Sequence, residues 1–186
     1  EDWGDTQHEI PFYYVQVAPY GYKDNLSAAK MMEVQLNTMA RIPNSGVVAT
    51  SDVGDQKLQH YPDKQVPAER LLLWAYRDIY KIGNTDPQSP TYKSMEVKEG
   101  KAIVTFDHAE RLSCAAANIP YVQIAGADKT FHSATAVVGP NANQITVSSP
   151  EVATPVAVRY CFTSWHVGQL YNQDGLPAYP FRTDKW

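Results

Sequence analysis

The chain has 186 residues, of which 44% are hydrophobic and 19% are charged, and its net charge is −4. This composition excludes long disorder, and the length allows folding without a disulfide or a metal. No Lys and Arg cluster builds a phosphate-binding face, so we expect no nucleic-acid partner. No apolar stretch is long enough for a membrane span. Cys114 and Cys161 could form one disulfide or remain buried thiols, and we expect thiols.

The first 83 residues alternate between strand and helix signals. The order of the predicted elements is strand, helix, strand, helix, which is typical of parallel strands crossed by helices. In chain order they are a strand over 11–18, a helix with Ser27 as N-cap to about Arg41, a strand over 47–51, and a helix from Pro67 to Tyr80 that Gly83 ends.

The remaining residues have a different pattern. Residues 83–90 have the composition of a linker, and short apolar runs separated by Gly, Pro, Asn and Asp follow. Such runs predict an antiparallel β-sandwich without helices, so we divide the chain into domains at 1–83 and 84–186. The predicted strands cover 92–97, 102–106, 121–125, 135–138, 144–148 and 156–160.

The first domain contains too few elements to form a complete sheet. Parallel strands lie in sheets that helices cover on both faces, and two strands with two helices cannot build one. We therefore expect residues 1–83 to be the last part of an α/β domain whose earlier strands belong to another segment.

The usual catalytic and cofactor motifs are missing from the sequence. It has no G-x-S-x-G, H-E-x-x-H or C-x-x-C, and no glycine-rich phosphate loop, so we expect neither a cofactor nor a metal. Four of the five histidines lack catalytic neighbours in the sequence and are expected to be solvated or structural. These four are His8, His108, His132 and His166.

His60 is the exception because of its position after the second predicted strand. Sites in open α/β sheets form beyond the carboxyl ends of strands, and the loop over 52–65 lies there. A histidine in such a loop can serve as a general base, oriented by a carboxylate such as Asp52 or Asp55.

Seven segments resemble the sialate O-acetylesterase family of the SGNH hydrolases, and they follow the family's order along the whole chain. The longest are P-F-Y-Y-V-Q-V-A-P-Y (11–20), I-P-N-S-G-V-V-A-T-S-D-V-G-D (42–55) and L-Y-N-Q-D-G-L-P-A-Y-P-F-R-T-D (170–184). The resemblance covers only the C-terminal half of such a protein. It implies the C-terminal part of an SGNH-type α/β/α hydrolase domain followed by an antiparallel β-sandwich domain.

The resemblance also implies an activity and a catalytic base. Family members remove O-acetyl groups from sialic acid or plant glycans by Ser-His acyl transfer, and the chain would be exported to periplasm, lysosome or cell exterior. The family's histidine precedes a helix of the type Q-x-x-x-x-R-L-x-L-W, which residues 65–74 match, so the histidine is His60. The family often has Asp three residues earlier, where this chain has Lys57. Asp55 or a main-chain carbonyl would then orient His60, and we favour Asp55.

The nucleophile motif of the family is missing. We therefore expect an N-terminal hydrolase segment, or a partner chain, to supply the catalytic serine and the oxyanion donors. Two alternatives stay open: a non-catalytic carbohydrate-binding module, and a pseudoenzyme fragment.

Overall fold

The computed structural model describes residues 10–186 of the chain. The first part contains two parallel strands and two helices, which confirms the predicted β-α-β-α order. In the paired strands, Tyr14 lies opposite Val47. The elements are β1 (Phe12–Val15), α1 (Ser27–Met39), β2 (Ser45–Val48) and α2 (Gln65–Ala75), which continues as a π-helical turn over Tyr76–Tyr80.

The two helix ends that the sequence assigned are wrong in detail. Ser27 is the first helical residue rather than the N-cap, because the Asp24 carboxylate accepts hydrogen bonds from the Leu26 and Ser27 N–H groups at 2.9 and 2.7 Å. The second helix ends before Gly83. Its π-helical turn closes at Lys81, which has a left-handed φ of 56°.

The two helices lie on opposite faces of the small sheet, because successive strand residues point to opposite sides. On one face, the Tyr14 hydroxyl donates to the Gln35 carbonyl of α1 at 2.5 Å. On the other face, the Tyr13 ring lies 5.8 Å from the Trp74 ring of α2. This part of the chain therefore has three layers.

The outer edge of β1 carries no second strand within residues 10–186. The Gln35 side chain covers part of this edge: its Oε1 accepts from the Val17 N–H at 2.8 Å, and its Nε2 donates to the Val15 carbonyl at 3.4 Å. An exposed parallel edge of this kind can pair with a further strand.

The second part consists of two four-stranded antiparallel sheets, in the orders β3-β4-β8-β7 and β10-β9-β5-β6. All six predicted strands are present, each within one residue of its predicted ends. The sequence missed β6 and β10, which have only three and two residues. The strands are β3 (Thr91–Lys98), β4 (Lys101–Asp107), β5 (Val122–Ala125), β6 (Phe131–Ser133), β7 (Thr135–Val138), β8 (Gln144–Ser148), β9 (Ala157–Tyr160) and β10 (Phe181–Arg182).

Both sheets contribute to one apolar core. Val104 and Ile145 from one sheet and Ile124 and Tyr160 from the other belong to the same buried cluster. Cys161 lies within this cluster, and Cys114 packs against it. Both cysteines are unpaired, which confirms the expectation of thiols.

The end of the chain returns to the first part. The Tyr179 hydroxyl donates to the Val47 carbonyl of β2 at 2.7 Å, and the Ser51 hydroxyl donates to the Ala178 carbonyl at 2.8 Å. The domain division at residues 83 and 84 stays a prediction, and residues after β9 contact both parts. Within residues 10–186, no helix has the length and apolar character needed to cross a membrane.

We expect Gly46→Ala to destabilise the protein, because α2 packs directly on β2 at this position. A Cβ atom on Gly46 would lie 2.4 Å from the Trp74 ring. Overpacking of this kind lowers the free energy of unfolding by about 1–3 kcal/mol. Urea denaturation of the purified protein measures the change.

Gly126→Ala is the matched control. Its added Cβ would meet no atom closer than 3.5 Å, so its free energy of unfolding should stay unchanged or rise by up to about 1 kcal/mol. Equal destabilisation by the two substitutions would contradict the steric explanation.

Candidate functional site

The loop that follows β2 is fixed at its start by the neighbouring elements. The Thr50 hydroxyl donates to the Val17 carbonyl, beyond the end of β1, at 3.1 Å. The Ser51 carbonyl accepts from the Gly168 N–H at 2.7 Å. Gly168 belongs to the C-terminal segment, which comprises the residues after β9, 161–186. The loop therefore leaves the sheet in a direction that both parts of the chain determine.

Two glycines allow this loop to lie against the loop that follows β1. Gly54 has a φ of 127°, and a Cβ atom there would lie 2.5 Å from the Pro19 carbonyl oxygen. The Gly21 N–H donates to the Gln56 carbonyl at 3.2 Å. Only glycine permits such close backbone approach.

Asp52 forms an ion pair with Arg70 of α2. The guanidinium donates to both carboxylate oxygens at 2.8 and 2.7 Å, and it also donates to the Ala49 carbonyl at 2.9 Å. The side chains are only 9% and 11% exposed. Asp52 therefore links the loop to α2 and has no hydrogen bond to His60.

Asp55 holds a turn within the loop. Its Oδ1 accepts from the Lys57 and Leu58 N–H groups at 2.7 and 2.8 Å, and these hydrogen bonds lower the pKa of the carboxyl. In the described part of the chain, no hydrogen bond joins Asp55 to His60. Asp55 and His60 therefore lie in the same loop but are not joined by a hydrogen bond.

His60 is exposed, and residues on both sides of it are anchored. The Gln59 amide donates to the Tyr22 hydroxyl at 3.1 Å. Tyr61 is buried, and the Lys64 ammonium lies 3.9 Å from the centre of its ring. Among residues 10–186, nothing hydrogen-bonds to the His60 imidazole, so both ring nitrogens are accessible to a reacting group.

His60 lines a cleft of about 450 Å³ between β1, its following residues and the first turns of α2. Most of the lining is apolar, with Val15, Val17, Pro67 and Leu71 among its members. A basic imidazole beside an apolar wall can accept a proton from a nucleophile while the wall holds a small acyl group. Within residues 10–186, no three His, Cys, Asp or Glu side chains are grouped to hold a metal ion.

Two other histidines form ion pairs with acidic side chains that the sequence did not indicate. The His108 Nδ1 lies 2.8 Å from Asp86 Oδ2. The His132 Nδ1 lies 2.5 Å from Glu151 Oε2. The partners are remote in sequence, so no local pattern could reveal them. His8 lies outside the described residues.

His166 is fully buried where the C-terminal segment meets the sandwich. Its Nδ1 lies 2.9 Å from the Thr163 carbonyl oxygen, and its Nε2 has no partner among the described residues. Burial lowers the pKa of His166 to about 4. The neutral imidazole is therefore a structural group rather than a base in an open site.

Comparisons with known proteins find similarity among solved structures. No protein-family model matches the chain, and no curated protein matches it. Among solved structures, a carbohydrate acetylesterase from Xanthomonas citri matches with a TM-score of 0.85 and 35% identity. The match covers 95% of this chain and 41% of that protein. The chain therefore has the fold of part of a carbohydrate esterase, and it spans less than half of that neighbour's length.

The buried His166 predicts a loss of stability in mild acid. The unfolded chain binds a proton near the ordinary pKa of 6.5, whereas the folded chain resists protonation until about pH 4. The stabilising contribution is thus complete above pH 6.5 and decreases as the pH falls through this window. Between pH 7 and pH 4.5 the loss should be about 2–3 kcal/mol.

His166→Gln removes this titration and serves as the reference. Urea unfolding at the two pH values should show a smaller pH-dependent loss in the variant than in the wild type. An identical loss in both proteins would mean that His166 does not cause the acid sensitivity.

Proposed function

We propose that this chain is the histidine-bearing part of a carbohydrate O-acetylesterase. The observation that carries the proposal is the placement of an unpaired His60 in an apolar cleft beyond the carboxyl end of a parallel strand. The acetylesterase neighbour, which matches 95% of the chain, supports the same reaction class. The proposed substrates are O-acetylated sialic acid or plant glycans, and the proposed location is outside the cytoplasm, as the sialate O-acetylesterase resemblance implies.

The proposed mechanism is acyl transfer through a serine. His60 takes the proton from the serine Oγ as that oxygen attacks the acetyl carbonyl carbon, and it returns the proton to the departing sugar oxygen. His60 then takes a proton from water as the water oxygen attacks the carbonyl carbon of the acetyl-serine, and it returns that proton to the serine Oγ as the bond from the carbonyl carbon to Oγ breaks and acetate is released. Oxyanion donors stabilise the negative charge on the carbonyl oxygen in both steps.

We propose that the serine comes from an upstream hydrolase segment, or a partner chain, that adds a parallel strand beside β1. The outer edge of β1 borders the cleft and carries no strand among the described residues. Phe12 of β1 is 55% exposed, and Val15 and Leu71 line the cleft that this edge borders. A strand there would replace the Gln35 contacts and bury this apolar surface.

Asp55 is proposed as a positioning residue rather than a partner of the reacting atoms. Its hydrogen bonds to the Lys57 and Leu58 N–H groups hold the turn that precedes His60. In the assembled enzyme, a main-chain carbonyl or Asp55 Oδ2 is the proposed acceptor for the Nδ1–H of His60.

His60→Ala in the assembled enzyme should lower kcat for acetate release from an O-acetylated monosaccharide by roughly 10²–10⁴-fold. This is the usual contribution of a general base. Leu58→Ala is the matched control, since the Leu58 side chain is exposed in the same loop and does not line the cleft, and its kcat should stay within about threefold of wild type. Activity of His60→Ala within tenfold of wild type would exclude His60 as the base and favour the non-catalytic module.

Asp55→Asn separates the two roles of the carboxylate in the same assay. Asn retains an acceptor oxygen for the two N–H groups, so a turn-holding role predicts a kcat within about threefold of wild type. A charge-dependent role on the imidazole predicts a loss approaching that of His60→Ala.

A further inference from the structure

A second cleft, with a volume of about 250 Å³, lies between α1 and the sandwich. Its walls come from α1, from the start of β3, and from β10 with the two residues before it. None of its lining residues also lines the cleft of His60. The cleft exists only because the C-terminal segment returns to α1, so it is a separate site at the junction of the two parts.

One wall of this cleft is aromatic and apolar. The Tyr92 ring stacks on the Phe181 ring with centroids 5.2 Å apart and planes 17° from parallel. Leu36, Met39 and Pro180 extend the apolar surface. Phe181 is buried, so the partly exposed Tyr92 ring is the aromatic surface that can pack against the C–H face of a sugar ring.

The polar groups of the cleft form a neutral set. The Glu33 carboxylate accepts from the Arg182 Nε and Nη2 at 2.9 and 3.0 Å, so the two charges cancel. A carboxylate and a guanidinium that lie side by side still offer an acceptor and a donor to neighbouring hydroxyl groups. The pair therefore suits an uncharged ligand with adjacent hydroxyls.

Two further polar groups in the cleft lack partners. Among residues 10–186, neither the Tyr92 hydroxyl nor the Asn37 amide forms a hydrogen bond. Tyr92 is partly buried, and this burial raises the pKa of its hydroxyl. A partly desolvated hydroxyl gains when a ligand satisfies it.

We propose that this cleft binds one uncharged pyranose ring of a glycan, as an accessory site apart from His60. The ring face packs on the aromatic wall, while its hydroxyls meet Tyr92, Asn37 and the Glu33–Arg182 pair. The volume lies below that of pockets for drug-sized ligands, which agrees with a single ring. The choice of a sugar among small neutral polyols rests in part on the proposed function.

The test is an NMR titration of the ¹⁵N-labelled protein with methyl β-D-xylopyranoside and methyl α-D-glucopyranoside. The expected Kd for a ligand of this size is about millimolar. The backbone signals of Asn37, Thr91 and Arg182 should shift with at least one of the two sugars. Absence of shifts at these residues with both sugars, or shifts confined to the His60 cleft, overturns the proposal.

Tyr92→Phe tests the hydroxyl while preserving the ring stack on Phe181. Loss of one hydrogen bond should raise the Kd roughly five- to tenfold. Tyr76→Phe is the matched control, since Tyr76 is exposed on the π-helical turn outside this cleft, and its Kd should equal that of wild type. An unchanged Kd in Tyr92→Phe overturns the proposal.

The two proposals fail separately. The probes carry no ester bond, so the titration does not depend on His60 or on a serine. If the assembled enzyme hydrolyses acetyl esters but the NMR signals at the second cleft do not shift, only the accessory site is contradicted. Pyranoside binding at the second cleft, together with an assembled enzyme that has no esterase activity, contradicts only the proposed function.

Discussion

The bidentate ion pair between Arg70 and Asp52 is the contact on which the geometry of the candidate site depends. It joins α2 to the loop after β2, and the additional hydrogen bond to the Ala49 carbonyl ties both to the end of that strand. The pair is nearly buried, so removal of one partner would leave an uncompensated charge at a cost of about 3–5 kcal/mol. The cleft of His60 opens between the elements that this pair holds together.

The sandwich contributes to the site through the C-terminal segment rather than through its own sheets. Hydrogen bonds from Gly168 to Ser51 and from Ser51 to Ala178 fix the start of the loop that carries His60. The Tyr179 hydroxyl donates to the Val47 carbonyl of β2, and the Tyr179 side chain is buried. The same return of the chain creates the second cleft against α1. The packing of the C-terminal segment against the first part therefore determines both the position of the His60 loop and the second cleft.

The sequence predicted most elements because their signals are local. Alternating or continuous apolar runs located both parallel strands and the six longer strands of the sandwich, and the resemblance of residues 65–74 to the family's helix motif indicated His60. The strands β6 and β10 were missed because three and two residues carry too little periodicity. Side-chain partnerships were missed for another reason: Asp52 meets Arg70 18 residues away, and Glu33 meets Arg182 149 residues away. Such pairs exist only after the chain has folded.

The central claim is that this chain carries the base of an esterase whose serine lies in another segment. The most direct measurement compares acetate release from an O-acetylated monosaccharide by the purified chain, by the upstream hydrolase segment, and by the two together. We predict that only the combination releases acetate catalytically. Release by this chain alone at the rate of the combination, or no release by a stably assembled combination, would contradict the claim.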